Sequence, residues 1–130
     1  MPRIRNDGHI DRIRIRNYSV EDTGNGEILC LEGYSGRYFY SSFLAVDEAL
    51  RIWSDAFSKG EYVCFNDLYK LLGIAETHFG WQYGYPANED YYNFKEGIEY
   101  ECNYIHDPTL DRPIYCIDIY LYPMECWLEV

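Results

Sequence analysis

Residues 46–81 read VDEALRIWSDAFSKGEYVCFNDLYKLLGIAETHFGW, and the apolar spacing from Val46 to Trp81 decides the fold. Val46, Ala49, Leu50, Trp53 and Phe57 recur every three or four residues, which draws one apolar stripe along a helix. Asp47, Glu48, Arg51, Asp55 and Ser58 fall mainly on the other side, where opposite charges four residues apart support the helix. Ser41 or Ser42 can cap the entry, and Lys59-Gly60 supplies a cation and a glycine at the exit. After a short extended piece at 61–64, Phe65 to Leu72 reads as a second helix with Leu68, Leu71 and Leu72 inward, closed by Gly73. Burying these rings and leucines contributes roughly 1.5 to 3 kcal/mol per side chain.

Strands are expected on both sides of this helical centre. Before it, Ile13 and Ile15 alternate with Arg12, Arg14 and Arg16, the period of a half-buried strand. A turn-rich segment at 21–26 then leads to EILCLEG at 27–33, where Leu29 and Leu31 share a side, so a two-stranded ribbon is expected. Residues 34–43 follow as a further extended piece or link, broken by Gly36. After the centre, residues 82–97, QYGYPANEDYYNFKEG, show no clean period and read as a long loop. Ile98 to Tyr104 alternates Ile98, Tyr100, Cys102 and Tyr104 against Glu99, Glu101 and Asn103, and Ile114 to Tyr122 returns as its partner in a hairpin. Trp127 docks a last short strand. The expected fold is α+β, an antiparallel sheet of N-terminal ribbon and C-terminal hairpin on a central helix pair. It forms a single domain of residues 1–130, with a ribbon at 1–43, a helical centre at 44–81 and a loop and hairpin at 82–130.

With 48% apolar and 18% aromatic residues, the chain can offset its ordering entropy by ring burial. It holds no long apolar run and no export signal, so a cytoplasmic protein without membrane contact is expected. Cys30, Cys64, Cys102, Cys116 and Cys126 form no Cys-x-x-Cys pair, and their odd number suits reduced thiols in a core rather than a disulfide framework. His9, His78 and His106 stand far apart, none at zinc-finger spacing to a cysteine. No motif calls for a metal or a cofactor. Gly24-x-Gly26 and Gly33-x-x-Gly36 lack the lysine and helix of a phosphate loop, and there is no serine elbow. Glu99, Glu101 and Asp118 would converge if the last strands pair, but acidic residues on one strand face are ordinarily solvated. An enzyme is not expected.

Charge says more. Five arginines and two aspartates give the first 20 residues +3, which leaves −14 on residues 21–130 of the total of −11. Such a body repels nucleic acid and attracts basic surfaces, although many acidic domains are merely soluble. Two surfaces compete for a role. Glu89, Asp90, Tyr91, Tyr92, Glu96, Glu99 and Glu101 combine carboxylates with phenol rings, the chemistry for gripping a basic protein, unless the rings pack inward over the core. Arg3, Arg5, Arg12, Arg14 and Arg16 would instead suit phosphate contact, or would pair with the chain's own carboxylates.

The helix with Ala49 and Asp55, then Gly60-x-x-Val63-x-x-x-Asp67-Leu68-Tyr69-x-Leu71-x-Gly73-Ile74, Gly80-Trp81, and the strand introduced by Arg112-Pro113 carry a resemblance over residues 44–122. In these features the chain resembles small uncharacterised proteins of bacteriophages and integrated elements of Gram-positive bacteria. The resemblance implies an α+β domain with a helix pair and no particular activity, and the arginine-rich opening is no part of it. In size, acidity and lack of catalytic residues alone the chain also resembles anti-CRISPR proteins. The expected function is therefore binding, as an acidic inhibitor that occupies the basic nucleic-acid site of a host protein such as a CRISPR effector nuclease. The alternatives are a nucleic-acid-binding regulator using the arginines, and a structural or accessory phage protein acting through oligomers.

Overall fold

The computed structural model describes residues 20–130 apart from 107, 110 and 111. The expected strand at 12–16 lies outside the described residues. The fold is α+β, with three helices, a five-stranded sheet and a three-stranded sheet among the described residues. The chain divides into two compact units, one of residues up to Phe43 with Tyr100–Ile119, the other of Leu44–Glu99 with Tyr120–Val130.

The first unit holds β1 (Glu21–Asp22), β2 (Ile28–Glu32), β3 (Arg37–Ser41), β6 (Tyr100–Ile105) and β7 (Ile114–Ile119), in the order β1-β3-β2-β7-β6. The hairpin expected between the last two long strands is present, with Tyr100 opposite Ile119 and Ile105 opposite Ile114. The sheet is mixed rather than wholly antiparallel, because β2 runs parallel to β7 and β1 parallel to β3. A parallel joint needs a long connection. The second unit's main segment, inserted in the chain between β3 and β6, supplies the one between β2 and β7.

One face of this sheet gathers Leu29, Leu31 and Ile114 with Val20, Tyr38, Tyr40 and Cys116. The alternate residues Cys30, Phe39 and Ile117 are buried on the other face. The β2–β3 turn is built by Glu32, a fully buried carboxylate that accepts the backbone N–H groups of Tyr34 at 2.9 Å and Ser35 at 2.7 Å. Gly36 closes the turn at φ 73°, its N–H donating to the Glu32 carbonyl.

The second unit holds α1 (Phe43–Ser58, its first residue contributed by the first unit), β4 (Val63–Cys64), α2 (Phe65–Leu72), α3 (His78–Gln82), β5 (Tyr83–Tyr85) and β8 (Met124–Glu125). The buried residues of α1 are Val46, Ala49, Leu50, Trp53 and Phe57, the stripe read from the spacing. Arg51 pairs with Asp55 at 3.4 Å and Glu48 at 4.0 Å on the solvent side. Both longer helices end on a left-handed glycine, Gly60 and Gly73, with the following N–H reaching back five residues to Ala56 and Tyr69. In α2 the inward residues are Phe65, Leu68, Tyr69 and Leu72, whereas Leu71 is 41% exposed. Tyr69 takes the place the sequence assigned to Leu71, because its ring reaches both Phe65 and Phe79.

Helix α3 has no counterpart among the elements expected from the sequence. Five residues carry too little period to be read, and tertiary hydrogen bonds hold them. Asn66, fully buried on α2, donates to the Thr77 carbonyl at 2.8 Å and accepts the Thr77 N–H at 2.9 Å. Thr77 in turn caps α3 by accepting the Gly80 N–H at 3.0 Å. A Cβ on Gly80 would collide with the Asn66 amide, so the glycine allows the clamp to close.

All five cysteines are free thiols; Cys30 and Cys64 are buried, Cys102 and Cys116 half-buried and Cys126 exposed. Burial pushes the Cys30 thiol up to about 12 and the Cys64 thiol up to about 11 from an ordinary 9.0, against smaller lowering effects of backbone N–H groups.

Three outcomes follow from this packing. Asn66→Ala leaves the N–H and carbonyl of Thr77 without their partner and should lower unfolding free energy by about 2 to 4 kcal/mol in a urea titration. Unfolded, Cys30 and Cys64 ionise near their ordinary pKa of 9.0, but folded they stay protonated to about 12 and about 11. The native chain then holds more protons than the unfolded one, so stability should decline as pH rises above about 9, seen as a falling urea midpoint. At neutral pH a thiol reagent should label Cys126 at once and reach Cys30 and Cys64 only after unfolding.

Candidate functional site

Six of the seven acidic and phenolic candidates lie in the second unit. Glu89, Asp90 and Tyr91 sit at the tip of the loop that follows β5, Tyr92 enters its return, Glu96 ends a 3-10 turn at Phe94–Glu96, and Glu99 precedes β6. Glu101 belongs to the first unit, exposed on β6 opposite Asp118. Arg3, Arg5, Arg12, Arg14 and Arg16 lie outside the described residues.

The segment expected as a long loop from 82 to 97 is shorter, because Tyr83–Tyr85 forms the middle strand of the three-stranded sheet. Val63 pairs with Tyr85 on one side, and Tyr83 with Glu125 on the other. Gly84 makes this possible: a Cβ there would stand 2.5 Å from the Val63 carbonyl oxygen and 2.8 Å from the Trp127 ring.

The remaining loop is tied at several points. The Asn88 side chain accepts the Asp90 N–H at 2.9 Å, and its carbonyl accepts the N–H groups of Tyr91 and Tyr92, both at 3.0 Å. Tyr92 turns inward. Its ring meets Phe57 and Tyr85 edge-on at 5.8 and 5.7 Å, and its hydroxyl donates to the Tyr122 carbonyl at 2.6 Å. Desolvation raises the pKa of that hydroxyl. Phe94 also packs on Phe57, at 6.3 Å. At the loop's end Gly97 adopts φ 78°, and Ser54 of α1 accepts the Ile98 N–H at 2.9 Å. The tyrosines thus divide: Tyr85 and Tyr92 hold the loop, while Tyr91 is 51% exposed.

On this frame Glu89, Asp90, Glu96 and Glu99 are all exposed. None forms an ion pair among the described residues, and Lys95 between them forms none either. Elsewhere four acids are matched, Glu21 by Arg37, Glu48 and Asp55 by Arg51, and Glu76 by Lys70. Among the described residues the loop thus carries four exposed carboxylates in no ion pair, together with Lys95 and one exposed ring. Among the described residues no three His, Cys, Asp or Glu side chains gather in a metal-ligating group. No helix among them is long and apolar enough to cross a membrane.

A second surface of the same unit was not legible in the sequence. Trp81 at the end of α3 and the C-terminal 3-10 turn Trp127–Glu129 border an open cavity of about 280 Å³. Trp127 is buried as expected for a docked terminus, and its indole N–H donates to the Trp81 carbonyl at 2.8 Å. The exposure of Trp81 and Leu128 carries no sequence signal, because large apolar side chains are ordinarily buried.

The model of the family of unknown function DUF6353 matches residues 3–127. The chain belongs to this family. No curated protein and no solved structure matches it. The DUF6353 match takes in the acidic loop, most of the groove-lining residues and the arginine-bearing opening, a wider span than the resemblance over 44–122.

The loop's anchorage can be tested directly. Tyr92→Phe removes one hydrogen bond and should cost about 0.5 to 1.5 kcal/mol. Gly97→Ala combines a left-handed φ with a Cβ 2.5 Å from the Ser54 hydroxyl, and should cost more, about 1 to 3 kcal/mol. Amide exchange in residues 88–98 should quicken in both variants, with α2 unaffected.

Proposed function

We propose that this DUF6353 chain is a binding protein of a phage or mobile element, an acidic inhibitor of the anti-CRISPR kind that occupies a basic nucleic-acid-binding site of a host nuclease. One observation carries the proposal: Glu89, Asp90, Glu96 and Glu99 are exposed and unpaired among the described residues, on a loop held by its own hydrogen bonds and rings. A channel built to receive phosphates presents arginines and lysines at close spacing, and carboxylates on an ordered loop can take the phosphates' place. Pre-ordering matters because the loop loses little freedom on docking. Tyr91 adds a flat ring of the kind that anchors interfaces. In this role the chain needs no nucleophile and no cofactor, and it works in the cytoplasm of the bacterial host, where the nuclease acts.

The experiment is competition. A guide-loaded CRISPR effector nuclease is incubated with labelled target DNA and increasing protein, and displaced DNA is read by fluorescence anisotropy. The wild-type chain should displace the DNA, and Glu96→Lys combined with Glu99→Lys should weaken displacement by about tenfold or more. Displacement untouched by the reversals would remove the loop from the interface. A mobility shift of DNA or RNA by the protein alone would favour a nucleic-acid binder instead.

A further inference from the structure

The geometry points to the groove between α3 and the C-terminal turn as a seat for one arginine side chain of a basic protein partner. That the partner is a protein rests on the proposed function; the guanidinium chemistry of the groove does not. Three features specify the occupant. The first is an exposed apolar wall: Trp81 is 48% and Leu128 69% exposed, at the border of a cavity of about 280 Å³. That volume lies at or below the small end of ligand pockets, a fit for one side chain rather than a folded ligand.

The second feature is affinity for cations. Lys70 already places its Nζ 5.1 Å from the centre of the Trp81 ring, so the π surface of this indole accepts positive charge. Lys70 is itself neutralised by Glu76 at 3.2 Å, which limits its repulsion of a second cation. The third is acid at the rim. Glu125 and Glu129 both line the cavity, both are exposed, and neither forms an ion pair among the described residues. A planar, weakly hydrated guanidinium stacks on an indole and forks onto a carboxylate, which an ammonium does less well.

The walls are also set before any ligand arrives. Trp127 is locked by its bond to the Trp81 carbonyl and by contact with the bare backbone of Gly84, and Cys126 takes a left-handed φ of 58° to make the turn. A second copy of the chain brings a net charge of −11 against Glu125 and Glu129 but also five arginines in its first 20 residues, so the test includes self-association.

The test uses the three indole N–H signals of Trp53, Trp81 and Trp127 in ¹⁵N-labelled protein, titrated with N-acetyl-arginine amide. Trp81 and Trp127 should move saturably while buried Trp53 stays fixed and reports an intact fold. The uncharged analogue N-acetyl-citrulline amide should move neither. Glu125→Gln with Glu129→Gln, both at exposed positions, should weaken arginine binding by about five- to tenfold. Silent Trp81 and Trp127 signals, an equal response to citrulline, or unchanged affinity in the double variant would overturn the assignment. Shifts produced by raising protein concentration alone would also overturn it, giving the groove to self-association. No nuclease enters this titration, so its failure leaves the loop proposal to the competition assay, and failure of the competition leaves the groove intact.

Discussion

Tyr85 is the residue on which the second unit turns. Its side chain is fully buried, and its ring lies within 6 Å of the rings of Trp53, Phe57, Phe65 and Tyr92. Its hydroxyl donates to the Leu121 carbonyl at 2.7 Å, so the one polar atom that burial would penalise is satisfied. Each such ring pair adds about 0.5 to 1.5 kcal/mol beyond the area it buries. One side chain therefore joins α1, the start of α2, the middle strand of the small sheet and the acidic loop. The neighbouring Gly84 is the condition for this, because any side chain there would push β4 and Trp127 away from β5.

That arrangement gives the charge its meaning. Glu21, Glu48, Asp55 and Glu76 are compensated locally, by Arg37, Arg51 and Lys70. The loop after β5 is not, and its backbone is spent on internal bonds from Asn88 and Asn93 and on the Ser54 hydroxyl rather than on solvent. Surplus negative charge on an ordered surface costs stability through self-repulsion. A partner that supplies positive charge relieves the repulsion, which is the physical basis for regarding the loop as an interface.

Much of the fold could be read in advance where a period is long enough to be unambiguous. The α1 stripe spans about three turns, and the β6–β7 hairpin joins an alternating strand to one rich in β-branched and aromatic residues. The three-residue β5 shows no alternation, because it lies between two partners with two of its residues buried. Helix α3 depends on Asn66, a side chain 11 residues upstream of its cap, and so has no local signal. The parallel joint between β2 and β7 is a property of topology and not of either strand's sequence. For the site, composition marked the acidic loop, but it could not separate Tyr91 from Tyr92, since only packing decides which ring turns inward. The groove was invisible for a similar reason: Trp81 and Glu125 are brought together by β5–β8 pairing across some forty residues.

The central claim is that unneutralised carboxylates, and not apolar area, drive association with a basic host site. The most direct measurement is the affinity of the protein for a guide-loaded CRISPR effector nuclease, by calorimetry, from about 0.05 M to about 0.5 M salt. Charge-driven docking predicts that the dissociation constant rises by at least about tenfold over that range. A dissociation constant that stays flat across it would contradict the account.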